Sequence, residues 1–187
     1  SSIFYDDPSV LYISIHAYDF DTEDWGYVTE TGTGEGRGFN INIPLPINCT
    51  EKIYLKATDC ALKICEQFKP SLLFVETGFD GHYSDPLGNL LLSESTYEQI
   101  GIKIKQYAEK HLDNRVGFVL EGGYNPLILG LLTEKLISPF IEGWKAPEPI
   151  DEPLPFSVDD NILSDNEFTF NSVIKRLRKA VFGIWDI

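Results

Sequence analysis

The stretch SLLFVETGFDGHYSDPLG, residues 71–88, decides the fold and raises the first question about function. Its opening part, SLLFVET, is a short apolar run that ends at a glycine, which predicts a buried β-strand. Three polar side chains, those of Asp80, His82 and Asp85, then follow within a few positions. They either build a tight turn or hold a metal ion.

Segments of the same kind recur along the chain. VLYISIH (residues 10–16) and RVGFVLE (residues 115–121) also predict buried strands, and FNINIPLP (residues 39–46) predicts a strand that stops at its prolines. Apolar positions at helical spacing predict helices over residues 51–69, 95–111, 127–144 and 170–185. Apolar strands that alternate with helices are typical of an α/β fold, a mostly parallel sheet with helices on both faces.

In such sheets ligands bind beyond the carboxyl ends of the strands. The loops that carry Asp80 and Tyr124 (in EGGYNP) both follow predicted strands, so we expect them on the same rim. From the residues alone, Gly-Phe-Asp-Gly is more typical of a turn, since one carboxylate makes a poor zinc site. The Tyr124 phenol either donates a hydrogen bond to an oxyanion or only packs on the rim, and the residues alone favour packing.

Composition bounds the class of protein. The 187 residues, 43% hydrophobic and 24% charged, are typical of one soluble globular domain. A proline-rich, acidic connector over residues 145–160 leads to the C-terminal helix. No apolar run reaches the roughly 18 residues that span a bilayer, and no secretion signal is visible, so we expect no membrane partner. Three cysteines favour a reducing compartment, which predicts a cytoplasmic protein, or a nuclear one in a eukaryote.

Charge restricts the partners. With 15 Lys and Arg against 29 Asp and Glu, the formal net charge is −14, which disfavours direct binding of nucleic acid and favours cationic partners such as polyamines or basic peptides. The glycine-rich run TGTGEGRG, residues 31–38, lacks the Lys-Ser/Thr ending of a phosphate-binding P-loop and precedes a strand. We therefore reject it as a phosphate site.

Four stretches taken in order carry a resemblance: FYDDPSVLYISIH (residues 4–16), GTGEGRGFNINIPLP (32–46), ETGFDGHYSDPLG (76–88) and FVLEGGYN (118–125). Together they resemble the zinc-dependent histone deacetylase family, which includes acetylpolyamine amidohydrolases and acetoin-utilisation proteins. The resemblance implies an α/β fold of the arginase-deacetylase type. It also implies metal-assisted hydrolysis of an acetyl amide in acetyl-lysine or an acetylpolyamine.

The resemblance assigns roles to residues of this chain. Asp80 matches a zinc ligand, and Tyr124 matches the tyrosine that polarises the acetyl carbonyl. Gly122 and Gly123 match glycines that line the acyl channel. Potassium is a further implied ion, and two groups of residues match its sites: Ser14 and Ile15 in one, and Phe4, Asp7, Val10 and Phe39 in the other.

One departure concerns the upstream part of the family pattern. The Asp-x-His zinc motif and the paired catalytic histidines precede the segment that matches the start of this chain, so we expect the chain to be the C-terminal portion of one deacetylase domain. Its partner would be the missing N-terminal part, and the chain alone is expected to be inactive. The alternative is a non-catalytic half-domain that serves as a structural or binding module for a separate N-terminal half.

A second departure lies in the loop DFDTEDWGYVTE, residues 19–30, where the family usually has a Pro-Gly-Thr-Gly run. Phe20 or Trp25 would then supply the aromatic wall of the acyl channel and contact the substrate. The loop is rich in acids, which either attract a cationic acetylated amine or simply face solvent, and both readings stay open. These acids are Asp19, Asp21, Glu23, Asp24 and Glu30.

Overall fold

A computed structural model describes residues 2–21, 25–146 and 154–187. The strands are β1 (Tyr12–Tyr18), β2 (Asn40–Pro46), β3 (Cys49–Thr50), β4 (Leu73–Thr77), β5 (Leu90–Leu91) and β6 (Val116–Leu120). The α-helices are α1 (Glu51–Phe68), α2 (Glu94–His111), α3 (Leu129–Ile137) and α4 (Asp160–Ala180). Short 3-10 turns cover Ser2–Phe4, Gly34–Gly36 and Ser138–Phe140, so the predicted long third helix divides at Pro139.

Every strand pair among the described residues is parallel, as the apolar strand pattern predicts. β1 pairs with β2, β3 with β5, and β4 with β6. Helix α1 connects β3 to β4, and α2 lies between β5 and β6 along the chain. The predicted α/β fold class is therefore confirmed, with β1 displaced by two residues from the predicted range.

Strand β2 ends at Pro46, the second of its prolines, as the sequence predicts. It includes Pro44, which lies opposite His16 of β1. Tyr12 N of β1 donates to the Phe39 carbonyl, which fixes the register of the pair. In a parallel ladder every second residue turns its backbone to the same neighbour, so Ile41, Ile43 and Leu45 of β2 point their N–H groups at β1. Both prolines occupy the other set of positions. Their missing N–H groups therefore cost the ladder nothing.

The main core lies where α1 and α4 pack against the β1–β2 pair. Ile41, Ile43 and Leu45 of β2 are fully buried there, together with Ile53 of α1 and Leu177 of α4. Three cysteines are free, and burial raises the pKa of the Cys49 thiol to about 12 and of the Cys60 and Cys65 thiols to about 11. The three thiols therefore act as small apolar side chains.

Helix α4 differs from its prediction at both ends. It begins at Asp160, ten residues before the predicted start, because the Asp159 side chain caps it by accepting from Asn161 N. It ends at Ala180, and Trp185 lies beyond it, donating from Nε1 to the Gly38 carbonyl. Part of the predicted connector over 145–160 lies outside the described residues.

The strands do not form one continuous sheet, which also departs from the expectation. Within the described residues they form three separate pairs, and no ladder connects β1 with β4. One face of the β4–β6 pair is uncovered, with Phe74 and Val119 exposed, whereas Phe118 on the other face packs edge-on against Phe140. In the part of the chain that is described, no helix has the length and apolar character needed to cross a membrane.

Candidate functional site

Two loops meet at the carboxyl ends of β4 and β6. The first spans residues 78–88 and carries Asp80, and the second spans residues 121–126 and carries Tyr124. The ladder continues past the strands, since Glu121 N donates to the Thr77 carbonyl and Phe79 N donates to the Gly122 carbonyl, both at 3.0 Å. The predicted common rim is therefore present, and these two loops form the candidate site.

The Asp80 carboxylate lies directly against two glycines. A Cβ atom built on Gly78 would be 2.6 Å from Asp80 Oδ1, and one on Gly122 would be 2.7 Å from the same oxygen and 2.9 Å from Oδ2. Both distances are too short for a real side chain, so the carboxylate keeps this position only because these residues are glycines. Within residues 2–21, 25–146 and 154–187 no donor or cation pairs with this half-buried carboxylate.

Asp85 makes a tight turn, which is one of the two roles that the sequence leaves open. Its Oδ1 accepts from Leu87 N and Gly88 N at 2.9 and 3.1 Å. Its Oδ2 accepts from Tyr124 N and Asn125 N at 2.7 and 3.1 Å. One buried carboxylate thus satisfies four backbone donors on two loops, which fixes the Asp80 loop to the Tyr124 loop. The sequence does not predict this link between the loops.

His82 contacts Ser84 and Glu94. Its ring is 1% exposed, with Nδ1 2.9 Å from Ser84 Oγ. Its Nε2 lies 3.5 Å from Glu94 Oε2, within ion-pair range but without hydrogen-bond geometry. Burial lowers the pKa of His82, more than the Glu94 carboxylate raises it. The histidine is therefore a structural residue that supports the loop.

Tyr124 projects from the rim, 54% exposed. The described residues offer its hydroxyl no hydrogen-bond partner, while its backbone is held by Asp85. The preceding Gly123 has φ +128°, a conformation that L side chains rarely adopt, and a Cβ there would lie 2.9 Å from that of Phe79. The loop therefore presents the phenol outward on a backbone that is fixed beneath it.

Two tyrosines, the partly buried Tyr54 of α1 and the buried Tyr97 of α2, respond to the charge of Asp80. Burial and then the Asp80 charge raise the pKa of the Tyr54 phenol to about 12. Burial, followed by Tyr54 and then Asp80, raises the pKa of Tyr97 far above its ordinary range. The Tyr97 hydroxyl has no hydrogen-bond partner in the described part of the chain. Both phenols therefore remain neutral near pH 7.

The donor set is incomplete for a metal. Among the described residues no group of three or more His, Cys, Asp or Glu side chains could hold an ion. Catalytic zinc sites have about three protein ligands, and Asp80 supplies one hard oxygen donor. The carboxylate therefore fits as one member of a shared site.

The structure also locates the residues predicted to hold potassium. The Ser14 hydroxyl lies 2.8 Å from His16 Nδ1, and His16 Nε2 lies 3.0 Å from the Gly26 carbonyl, which gives His16 a structural role. Ile15, the other member of the first group, lies in β1. In the second group, the Phe4 carbonyl accepts from Asp7 N, the Asp7 carbonyl from Val10 N and the Phe39 carbonyl from Tyr12 N. Potassium binding at both groups stays a prediction.

The aromatic loop after β1 is partly described. Phe20 packs edge-on against Tyr18 with ring centroids 5.0 Å apart, and Trp25 is 82% exposed. Glu30 turns inward, accepting from Tyr27 N, whereas Glu23 and Asp24 lie outside the described residues. The roles of Phe20 in the acyl channel and of the acids in attracting substrate stay predictions.

Comparisons with known proteins agree with this fold. The family model described as histone deacetylase domain matches residues 1–139. Two similar proteins are probable deacetylases, 38% identical over 124 residues in Archaeoglobus fulgidus and 44% identical over 133 residues in Methanothermobacter thermautotrophicus. These matches cover 66% and 70% of this chain but only 34% and 38% of the relatives, so the chain spans little more than a third of their length.

Solved structures give the same result. An acetylpolyamine aminohydrolase from Burkholderia pseudomallei aligns with a TM-score of 0.66 and 30% identity over 74% of this chain and 40% of its own. The HDA15 HD domain aligns with a TM-score of 0.73 over 98% of this chain and 46% of its own. Its identity is 22%, so that likeness concerns the fold alone.

Proposed function

The chain belongs to the histone deacetylase family, and we propose that it supplies the C-terminal portion of a zinc-dependent amide hydrolase. The substrate class is an acetylated cationic amine, either acetyl-lysine in a protein or an acetylpolyamine. The observation that carries the proposal is the unpaired Asp80 carboxylate, held against Gly122 on the same rim as the exposed Tyr124.

Asp80 would be one ligand of the metal. A bound zinc ion would polarise the acetyl carbonyl and lower the pKa of a water molecule. Asp80 is suited to this role because no internal donor within the described residues competes for it and Gly122 leaves it room. The remaining ligands and the general base would come from the N-terminal part of the domain.

Tyr124 would act on the substrate oxygen. Its hydroxyl is free of internal partners in the described chain and stands on a backbone fixed by Asp85, so it can donate a hydrogen bond to charge that develops on the acetyl carbonyl. Gly122 and Gly123 would let the acetyl group approach the backbone closely. The net charge of −14 favours the approach of a cationic substrate.

The test uses the protein as its native host makes it. Intact mass, zinc content and deacetylation of an acetyl-lysine peptide and of an acetylpolyamine are measured together. We expect a mass well above 21.1 kDa, bound zinc and hydrolysis of at least one substrate.

Variants then test the assigned residues. Asp80→Asn should lose zinc, while Asp113→Asn, an exposed control, should keep it. Tyr124→Phe should keep zinc but lose about 10²–10³-fold in turnover, the usual cost of one oxyanion donor. Full zinc occupancy in Asp80→Asn would contradict the ligand role. A protein of 21.1 kDa without zinc or activity would favour the non-catalytic module instead.

A further inference from the structure

Next to the Asp80 loop lies a buried hydroxyl that packing does not explain. Tyr97 of α2 is 2% exposed, and among the described residues its hydroxyl has no hydrogen-bond partner. A buried hydroxyl without a partner costs free energy that a phenylalanine of the same shape would not cost. Core packing therefore accounts for the ring of Tyr97 but not for its oxygen atom.

The Tyr97 side chain meets the Asp80 loop at two points. Its hydroxyl lies 3.2 Å from the position that a Cβ atom on Gly81 would take, and Gly81 directly follows Asp80. Its ring packs on Phe79, which directly precedes Asp80, with ring centroids 5.2 Å apart. Tyr97 therefore packs against both chain neighbours of Asp80.

The first turn of α2 fixes Tyr97 in this place. The Glu51 carboxylate at the start of α1 accepts from the hydroxyls of Ser93 and Thr96, both at 3.0 Å, which joins the first turns of the two helices. Ser93 N also donates to Thr96 Oγ1 at 3.1 Å. Because Thr96 is fully buried, the residue after it enters the core in a fixed direction. The two helices therefore set the position of the Tyr97 hydroxyl.

Asp80 carries the acceptor that is available to this hydroxyl. Burial first, and then Tyr54, Asp80 and Asp85, raise the pKa of the Tyr97 phenol, so both carboxylates are near enough to act on it. The Asp85 oxygens already accept from four backbone N–H groups. In the part of the chain that is described, no donor or cation pairs with Asp80. A hydroxyl without another acceptor orients in the field of the nearest charge, and here that charge is Asp80.

We propose that Tyr97 is a positioning residue for the metal, with its hydroxyl dipole directed at the Asp80 carboxylate from the core of the fold. The inference rests on the proposed function, in which Asp80 is one zinc ligand. Groups that orient a metal ligand typically change metal affinity by about 10–100-fold when they are removed. Because Tyr97 is 2% exposed, it acts through Asp80 and makes no contact with the substrate.

Tyr107 offers a matched control on the same helix. It is 5% exposed, and its hydroxyl also has no hydrogen-bond partner among the described residues. It lies about 15 Å from Tyr97 along the axis of α2, at a rise of about 1.5 Å per residue. Burial, followed by Cys65 and Glu66, raises the pKa of its phenol, and neither residue belongs to the candidate site. Tyr97→Phe and Tyr107→Phe therefore remove the same atom from similar surroundings, once next to Asp80 and once far from it.

Zinc affinity and thermal unfolding of these two variants test the proposal, in the protein at the length that its native host produces. Zinc is removed with a chelator, and the dissociation constant is measured by competition with a chelating dye. Tyr97→Phe should raise the dissociation constant for zinc about 10-fold or more, whereas Tyr107→Phe should leave it unchanged. The metal-free forms of both variants should unfold at the temperature of the unsubstituted protein or above it, because each loses an unpaired buried hydroxyl.

Two results would overturn the inference. One is an equal dissociation constant for zinc in Tyr97→Phe and the unsubstituted protein. The other is unfolding of metal-free Tyr97→Phe well below Tyr107→Phe, since the Tyr97 hydroxyl would then have a structural role. Zinc content and deacetylation by the unsubstituted protein test the proposed function separately. An active zinc enzyme whose affinity does not respond to Tyr97→Phe refutes this inference alone, and an unsubstituted protein that binds no zinc refutes both.

Discussion

Strands β2 and β6 are both short, largely apolar and parallel to their neighbours, yet they differ in burial. Six of the seven residues of β2 are buried, and none of the five residues of β6 is. Helices α1 and α4 cover the β1–β2 pair, whereas Phe74, Val119 and Leu120 stay exposed on the β4–β6 pair. The candidate site therefore stands on the half of the molecule whose apolar surface is exposed.

The same Leu→Ala substitution, made once in β2 and once in β6, should give the largest difference in the free energy of unfolding. Leu45→Ala in β2, at a residue 0% exposed, should lower the free energy of unfolding by about 2–5 kcal/mol because it opens a cavity. Leu120→Ala in β6, at a residue 60% exposed, should change it by about 0.5 kcal/mol or less. Urea unfolding of the 187-residue chain measures both. Equal costs would mean that β6 is covered in solution.

A smaller effect concerns the connection between the two site loops. Asp85→Asn keeps one acceptor oxygen and turns the other into a donor that faces backbone N–H groups, so unfolding should become easier by about 1–3 kcal/mol. Exchange of the Tyr124 and Asn125 amides should accelerate as well. Asp113→Asn, at an exposed ion pair with Arg115, is the matched control and should have little effect. Unchanged exchange at Tyr124 would contradict the role of Asp85.

Alanine substitutions at two glycines, Gly122 at the site and Gly130 in α3, should change stability in opposite directions. Gly122→Ala places a Cβ 2.7 Å from the Asp80 carboxylate, which must rotate away at a cost of about 0.5–1.5 kcal/mol. Gly130→Ala, in α3 with nothing within 4 Å, should stabilise the chain by up to about 1 kcal/mol. Thermal unfolding checks both signs, and zinc content in the host protein should fall for Gly122→Ala only. Stabilisation by Gly122→Ala would mean that the carboxylate lies elsewhere.

The smallest effect is a pH dependence at the contact between α1 and α2. Lys110, first by its hydrogen bond and then by its charge, lowers the pKa of Glu66 below the ordinary 4.5. A lowered carboxyl pKa adds stability above pH 4.5 that is lost as the pH falls through the folded value. Glu66→Gln should therefore reduce the loss of stability between pH 6 and pH 3, measured by urea unfolding. An identical loss in the variant would show that this ion pair adds nothing.

Local pattern predicted much of the molecule. The strand over residues 71–77 and the helix that ends before Pro70 were predicted because a short apolar run and a helical stripe are each local signals. The start of α4 was predicted ten residues late, since the cap at Asp159 precedes a polar stretch without an apolar stripe. The common rim of Asp80 and Tyr124 also followed, because parallel strands end at one edge.

The parallel α/β class, the positions of Asp80 and Tyr124 and the resemblance to deacetylases could all be predicted from the sequence, because each depends on residues that are neighbours along the chain. That Asp85 links the two loops and that His82 lies beside Glu94 became visible in the folded molecule alone. The physical reason is distance along the chain. Asp85 and Tyr124 are 39 residues apart, and no periodicity records which carboxylate will meet which backbone donor after the chain has folded.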